Sequence, residues 1–305
     1  MTTNLLDRAK HAAADQLKGL KPADVFRSDR HLYVRKPADN LIPGITLADF
    51  EQELRGGDGN ELDDITYKSG QTRPAKFCAT YSSSALAVNT FAPFKTHPDA
   101  LTLAGIGGFT QPPKFEGKCP NGLFEANGKP SRSPNLDVLA FAGDTVVAVE
   151  SKFLEPLSKK RQELSPKYVA PFVGAADAQP VAEPEWTEMY TRVSRMATYP
   201  KEDLPYTHLD AAQLVKHYLG LKVSYPQQKR VLVYLYWEPT NAGGIDACKR
   251  HRDEVQDFAR RVAGCDTTFI PMSYPDLWHE WETTSTWPGM PEHLARLRAR
   301  YRFAI

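Results

Sequence analysis

Apolar residues fall along this chain in short, well-separated patterns, and the clearest of them is a hairpin. Residues 136–141 and 145–153 are two β-favouring runs, and Gly143-Asp144 between them suits a two-residue primed turn. Residues 230–237, RVLVYLYW, are too apolar and too rich in branched and aromatic side chains for anything but a buried strand. Elsewhere the spacing is helical. Residues 4–18 read as a short amphipathic helix. Leu47, Phe50 and Leu54 recur one turn apart behind Thr46, a candidate N-cap, and Gly56-Gly57 should end that helix. Ser82, Ser83 and Ser84 offer caps for a helix carrying Leu86, Ala87 and Phe91. Further helices are predicted over 185–198, with Trp186, Met189, Val193 and Met196 on one face, and over 209–219, 246–263, 275–282 and 291–301. Strands are predicted at 109–115 and 267–272.

An antiparallel hairpin followed by alternating helices and strands is the signature of the α/β class, here a mixed central β-sheet flanked by helices. Residues 1–45 read as an N-terminal helical extension and 46–305 as a single domain, with a Pro- and Ala-punctuated insertion at about 156–184. No internal repeat or long low-complexity tract interrupts it.

Composition narrows the function classes. At 305 residues and 41% hydrophobic content the chain can bury a sizeable core. With 38 Lys and Arg against 37 Asp and Glu it lacks the basic surplus of a simple nucleic-acid coat, so any polyanion site is a local patch. Lys159-Lys160-Arg161, Lys249-Arg250-His251-Arg252 and 296–302 are candidates, although such runs are commonly solvated faces. The four cysteines stand far apart, without a C-x-x-C pair, and indicate neither a disulfide framework nor structural zinc. No segment approaches the ~18 apolar residues of a membrane span, and a soluble, cytoplasmic protein is the expectation.

The chemistry lies in the hairpin. With a two-residue loop, Ala142 pairs with Thr145, and continuing the register sets Asp137 opposite Glu150. Directly opposed side chains have Cβ atoms ~4.5 to 5.5 Å apart, about the separation at which two carboxylates share one divalent cation. Alternation puts Lys152 on the Glu150 face. Leu139, Phe141, Val146 and Ala148 share that face, while Leu136, Val138, Ala140, Val147 and Val149 occupy the other. Opposed carboxylates in apolar surroundings repel, and a metal ion is the simplest compensation. Hard oxygen ligands favour magnesium or manganese. The plainer reading is a salt bridge on a solvated face, but such a bridge would have polar neighbours, and these charges interrupt VVAVE. A glycosidase also needs two carboxylates, but not the adjacent lysine.

The segment SPNLDVLAFAGDTVVAVESKF resembles the central hairpin of PD-(D/E)XK nucleases, with Asp137 on one strand and Glu150-x-Lys152 on the next, although Pro134 stands apart from the aspartate. Gly59-Asn60-Glu61-Leu62, KFCATYSSSALAVNTF at 76–91, 210–221 with Gln213, and YWEP at 236–239 resemble a bacterial restriction-endonuclease-like family over residues 49–282. The resemblance implies an αβββαβ core with helical additions at both ends. It also implies magnesium, with manganese as a substitute, held by Asp137, Glu150 and the Ser151 carbonyl, and hydrolysis of phosphodiester bonds with Lys152 acting on the attacking water. A further acid is common in these enzymes, and Glu61 is the first choice, Glu53 the second. Gln213, Lys216 and His217 share a helix face; the resemblance turns Gln213 and Lys216 toward the centre, and Lys216 with His217 is assigned to substrate. Glu155 is a candidate supporting residue. The expected partner is nucleic acid, first of all DNA, in restriction or defence, and a homodimer is compatible with this. A repair nuclease and a nuclease-like binder that does not cut are the alternatives.

Overall fold

The computed structural model describes residues 4–28, 30–57, 61–125, 127–160, 162–174, 179, 181–200 and 204–305. Gly59, Asn60 and Arg161, singled out above, lie outside the described residues. In chain order the elements are α1 (Leu5–Lys18), α2 (Glu51–Gly56), β1 (Ile65–Thr66), β2 (Thr72–Arg73), α3 (Ser83–Phe91), β3 (Lys114–Lys118), β4 (Asn135–Ala142) and β5 (Thr145–Lys152). Then follow α4 (Val169–Val173), α5 (Pro184–Ser194), α6 (Ala211–Ser224), β6 (Lys229–Tyr236), α7 (Asp246–Arg261), β7 (Thr267–Ser273), α8 (Tyr274–Thr284) and α9 (Met290–Tyr301).

Five strands form one mixed sheet in the order β3-β4-β5-β6-β7. The first two junctions are antiparallel and the last two parallel. This is the α/β architecture that the alternation of elements implies. The β4–β5 turn holds Gly143 at φ +59°, a left-handed conformation that glycine adopts without a Cβ penalty. The register follows from that turn, from Ala142 opposite Thr145 through Val138 opposite Val149.

Both sheet faces are covered, which is why the central strands read as almost continuous apolar runs. On one side Val138, Ala140, Val147, Val149, Val233 and Leu235 pack with α3, α8 and α9. On the other Leu139, Val146, Ala148, Leu232 and Tyr234 pack with α5, α6 and α7. Helix α1, capped by Asn4, buries Ala9, Ala13, Ala14 and Leu17 and packs against α9.

Several details differ from expectation. The strand expected at 109–115 runs instead from Lys114 to Lys118, and Phe109 makes a lone bridge to Ala142. Pro112 and Pro113 carry no N–H and cannot extend the ladder. Thr46 makes no side-chain cap; a 3-10 turn at Leu47–Asp49 precedes α2. Leu136 packs with the Leu139 layer rather than with Val138. The alternation breaks there because the β4–β5 ladder ends at Val138, and Asp137 bonds through its side chain instead.

Candidate active site

Strand β5 sits between β4 and β6, and although β4 runs on to Asn135, its pairing with β5 stops at Val138 and Val149, one residue short of Asp137 and Glu150. Beyond Val138 the Asp137 carboxylate replaces the ladder, its Oδ2 accepting the Ser151 N–H at 2.7 Å. The Lys152 carbonyl accepts from the N–H of Trp237, just past the end of β6, at 2.8 Å. Successive carbonyls along a strand point opposite ways, so the Ser151 carbonyl turns toward Asp137.

A cavity of about 710 Å³ opens here, and Asp137, Glu150, Ser151, Lys152, Glu61 and Gln213 all line it. Glu150 is only 2% exposed. Its Oε1 pairs with the Lys152 ammonium, and its Oε2 lies 2.7 Å from His217 Nε2. Lys152 donates further to Gln213 Oε1 at 2.8 Å. Asp210 places Gln213 by capping α6, its carboxylate accepting from the Gln213 N–H at 3.0 Å. Glu61, 6% exposed, lies ahead of α3 in the chain; Lys76 reaches its Oε1 at 3.3 Å and Ser84 donates to Oε2 at 3.0 Å. Glu53 instead pairs with Lys95 and accepts the Phe115 N–H at 2.7 Å, outside the lining of the cavity. Glu155 lines the cavity and accepts the Phe153 N–H at 2.7 Å.

Gln213, Lys216 and His217 do share a helix face, which lines an adjoining groove, but of the three only Gln213 also reaches the main cavity. His217 is 1% exposed, behind Glu150 rather than in the main cavity. Lys216 is half-buried, with its pKa lowered by burial, and lines that groove with Arg132, Lys160 and His217.

Sequence reasoning missed Glu116. It lines the same cavity, accepts from Asn135 Nδ2 at 3.3 Å, and holds φ +50°, a left-handed conformation costly for a residue with a Cβ. Gly57 leaves it room, since a Cβ there would meet Glu116 Oε2 at 2.8 Å. The β3–β4 register, Phe115 opposite Val138 and Gly117 opposite Leu136, places Glu116 beside Asp137. The sequence carries little sign of it, because no tight turn links β3 to β4 and so nothing local sets their register.

Electrostatics divide these carboxyls. Burial alone would raise Glu150, but Lys152 and His217 outweigh it and hold the acid down at about 2. Burial would lower Lys152, but Glu150, Glu155 and Asp137 raise it, so it stays an ammonium. Asp137 is pushed well above the carboxylate range by burial, then by Glu150 and Glu116. Burial, Glu61 and Glu150 push Glu116 up to about 7, against Asn135 and Lys76. Acids pushed apart in this way are found at sites of acid–base or metal chemistry and also in structural ion-pair networks.

Glu116 has a measurable consequence. Its ordinary value is 4.5, so between there and about 7 the folded chain binds more protons than the unfolded one. The stabilisation is complete below the lower value and is lost as pH rises through the upper. The melting temperature of chelator-treated protein should therefore fall from about pH 5 to about pH 8, and Glu116→Gln should flatten that fall. Parallel curves for the two proteins would refute it.

Asp137, Glu150, Glu116 and Glu61 offer the hard carboxylate oxygens that a divalent cation takes, with the Ser151 carbonyl beside them. No three of these carboxylates lie within 4.8 Å of one another, however, and the two Glu150 oxygens already face Lys152 and His217, so holding an ion would require the side chains to draw in. A mixed sheet between helical layers, with two acids and a lysine where strand pairing ends, is compatible with a restriction-endonuclease-like protein. The model of one such family, described as restriction endonuclease associating with ARP, matches residues 7–302, and the chain belongs to that family. Among curated proteins and solved structures, none matches.

Proposed function

We propose that this chain is a magnesium-dependent endonuclease that hydrolyses phosphodiester bonds of DNA at the cavity of Asp137, Glu150 and Lys152, in restriction or defence. The observation that carries the reading is that Asp137, Glu150, Glu61 and Glu116 line one cavity together with a lysine fixed by Glu150 and Gln213. Asp137 and Glu150, with Glu61 or Glu116 and the Ser151 carbonyl, would hold the ion. When bound, magnesium would polarise the scissile phosphate and lower the pKa of a water. The remaining work falls to side chains. Gln213 fixes the Lys152 ammonium, which lies where it can orient the attacking water and offset charge developing on phosphate oxygens. His217 braces Glu150 from behind and acts by position rather than on substrate. Lys216, Lys160 and Arg132 in the adjoining groove would follow the phosphate backbone.

The test is cleavage of labelled DNA and RNA with magnesium, manganese, calcium or chelator. Magnesium and manganese should support DNA cutting, while calcium binds without turnover. Full activity in excess chelator would overturn metal dependence. DNA left intact under every metal, although bound, would favour the non-cutting alternative.

A further inference from the structure

The cavity extends beyond the acids to a wall on which two tyrosines meet. Tyr33 and Tyr81 line it with their ring centroids 6.1 Å apart, at 68°, and their hydroxyls 3.0 Å apart. Each rests one side on a different apolar cluster, Tyr81 on the main core and Tyr33 on the small one around Phe26 and Val34. Both remain only half-buried, so ring surface is left to the cavity. Lys10 of α1 lies over Tyr81, its Nζ 5.3 Å from the ring centroid, and Arg73 lines the same wall.

We infer that this wall takes an unpaired base of the DNA, stacked on Tyr81 beside Tyr33, while the neighbouring phosphodiester reaches the acids. The inference rests on the nuclease reading above and narrows its substrate to DNA with an unpaired segment. Three observations carry it. Glu61 and Glu150 are buried in the cavity lining and Asp137 and Glu116 partly so, whereas the phosphates of an intact duplex ride on a convex cylinder. An aromatic face gains a base only if that base is unstacked from its own helix. The Lys10 ammonium over the Tyr81 ring, paired also with Asp7 at 3.7 Å, is a weakly held group that a base can displace and that can then meet the adjacent phosphate.

The experiment uses the whole chain in calcium, at one stated salt concentration, with oligonucleotides carrying 2-aminopurine as single strand, as duplex, and as duplex with a short unpaired flap. Strand and flap should bind about tenfold tighter than duplex, with quenching of the probe base, and Tyr81→Leu should lose about tenfold while Tyr81→Trp retains binding. Quenching in the unaltered protein reports stacking even if a variant fails to fold. Equal binding of duplex and strand without quenching would overturn the inference, even if duplex is cut and the nuclease reading stands. Tyrosine-dependent binding of the strand without any cleavage under magnesium would overturn the nuclease reading and leave this one in place.

Discussion

Lys152→Ala should reduce cleavage by about 10² to 10⁴-fold, the usual loss when a positioned acid–base or electrostatic group is removed. The fold should survive, because alternation on β5 keeps Glu150 and the Ser151 backbone in place and the lysine adds little to either apolar cluster. Glu150 keeps His217 as a partner, so its charge is not stranded. Affinity for DNA should change far less, since one cation contributes a small share of the salt-dependent binding. Asp137→Ala should match the loss of turnover through the metal and should also release the Ser151 N–H. Rates and affinities measured together at one salt concentration check this. Wild-type rates in both variants would place the active centre elsewhere.

Arg300→Met should destabilise the protein by about 3 kcal/mol, because it strips donors from several buried acceptors at once. Arg300 is 1% exposed, and its guanidinium bonds the Ala13 carbonyl at 3.1 Å, the Thr80 carbonyl at 2.6 Å and Asn40 Oδ1 at 3.3 Å. It thus ties α9 to α1 and to the segment leading into α3, the same pieces that carry Lys10 and Tyr81. A loss of that size lowers the melting temperature by roughly 5 °C in a chain of this length. Thermal denaturation at neutral pH reads it directly. Melting within about 1 °C of wild type would show that the three bonds contribute almost nothing net.

The 296–302 run illustrates how far local pattern reaches. As sequence it is a basic stretch suited to phosphates, yet Arg300 is buried among carbonyls, Arg296 bonds Pro43 and Glu292, and Arg298 pairs with Glu282. Lys249-Arg250-His251-Arg252 dissolves similarly: Arg250 pairs with Glu254, Arg252 with Glu238, and His251 is buried against Tyr234. Charge runs give no sign of the partners that distant segments bring.

What the sequence by itself determined is what strand geometry and turn chemistry dictate locally. A glycine at positive φ sets a two-residue turn, the turn sets the register, and a period of two puts Glu150 and Lys152 on one face. The apolar runs at 136–153 and 230–237 likewise announced a sheet covered on both sides. Tertiary structure alone decided the rest. It turned His217 behind Glu150 and Gln213 onto Lys152, since a helix face has no address until it packs. It ended the ladder at Val138 so that the Asp137 side chain meets Ser151, and it brought Glu116 and Glu61 to the same cavity from loops and a strand whose register depends on β4. The shifted acids follow from that convergence: burial and mutual charge act through space, between groups that chain order keeps far apart.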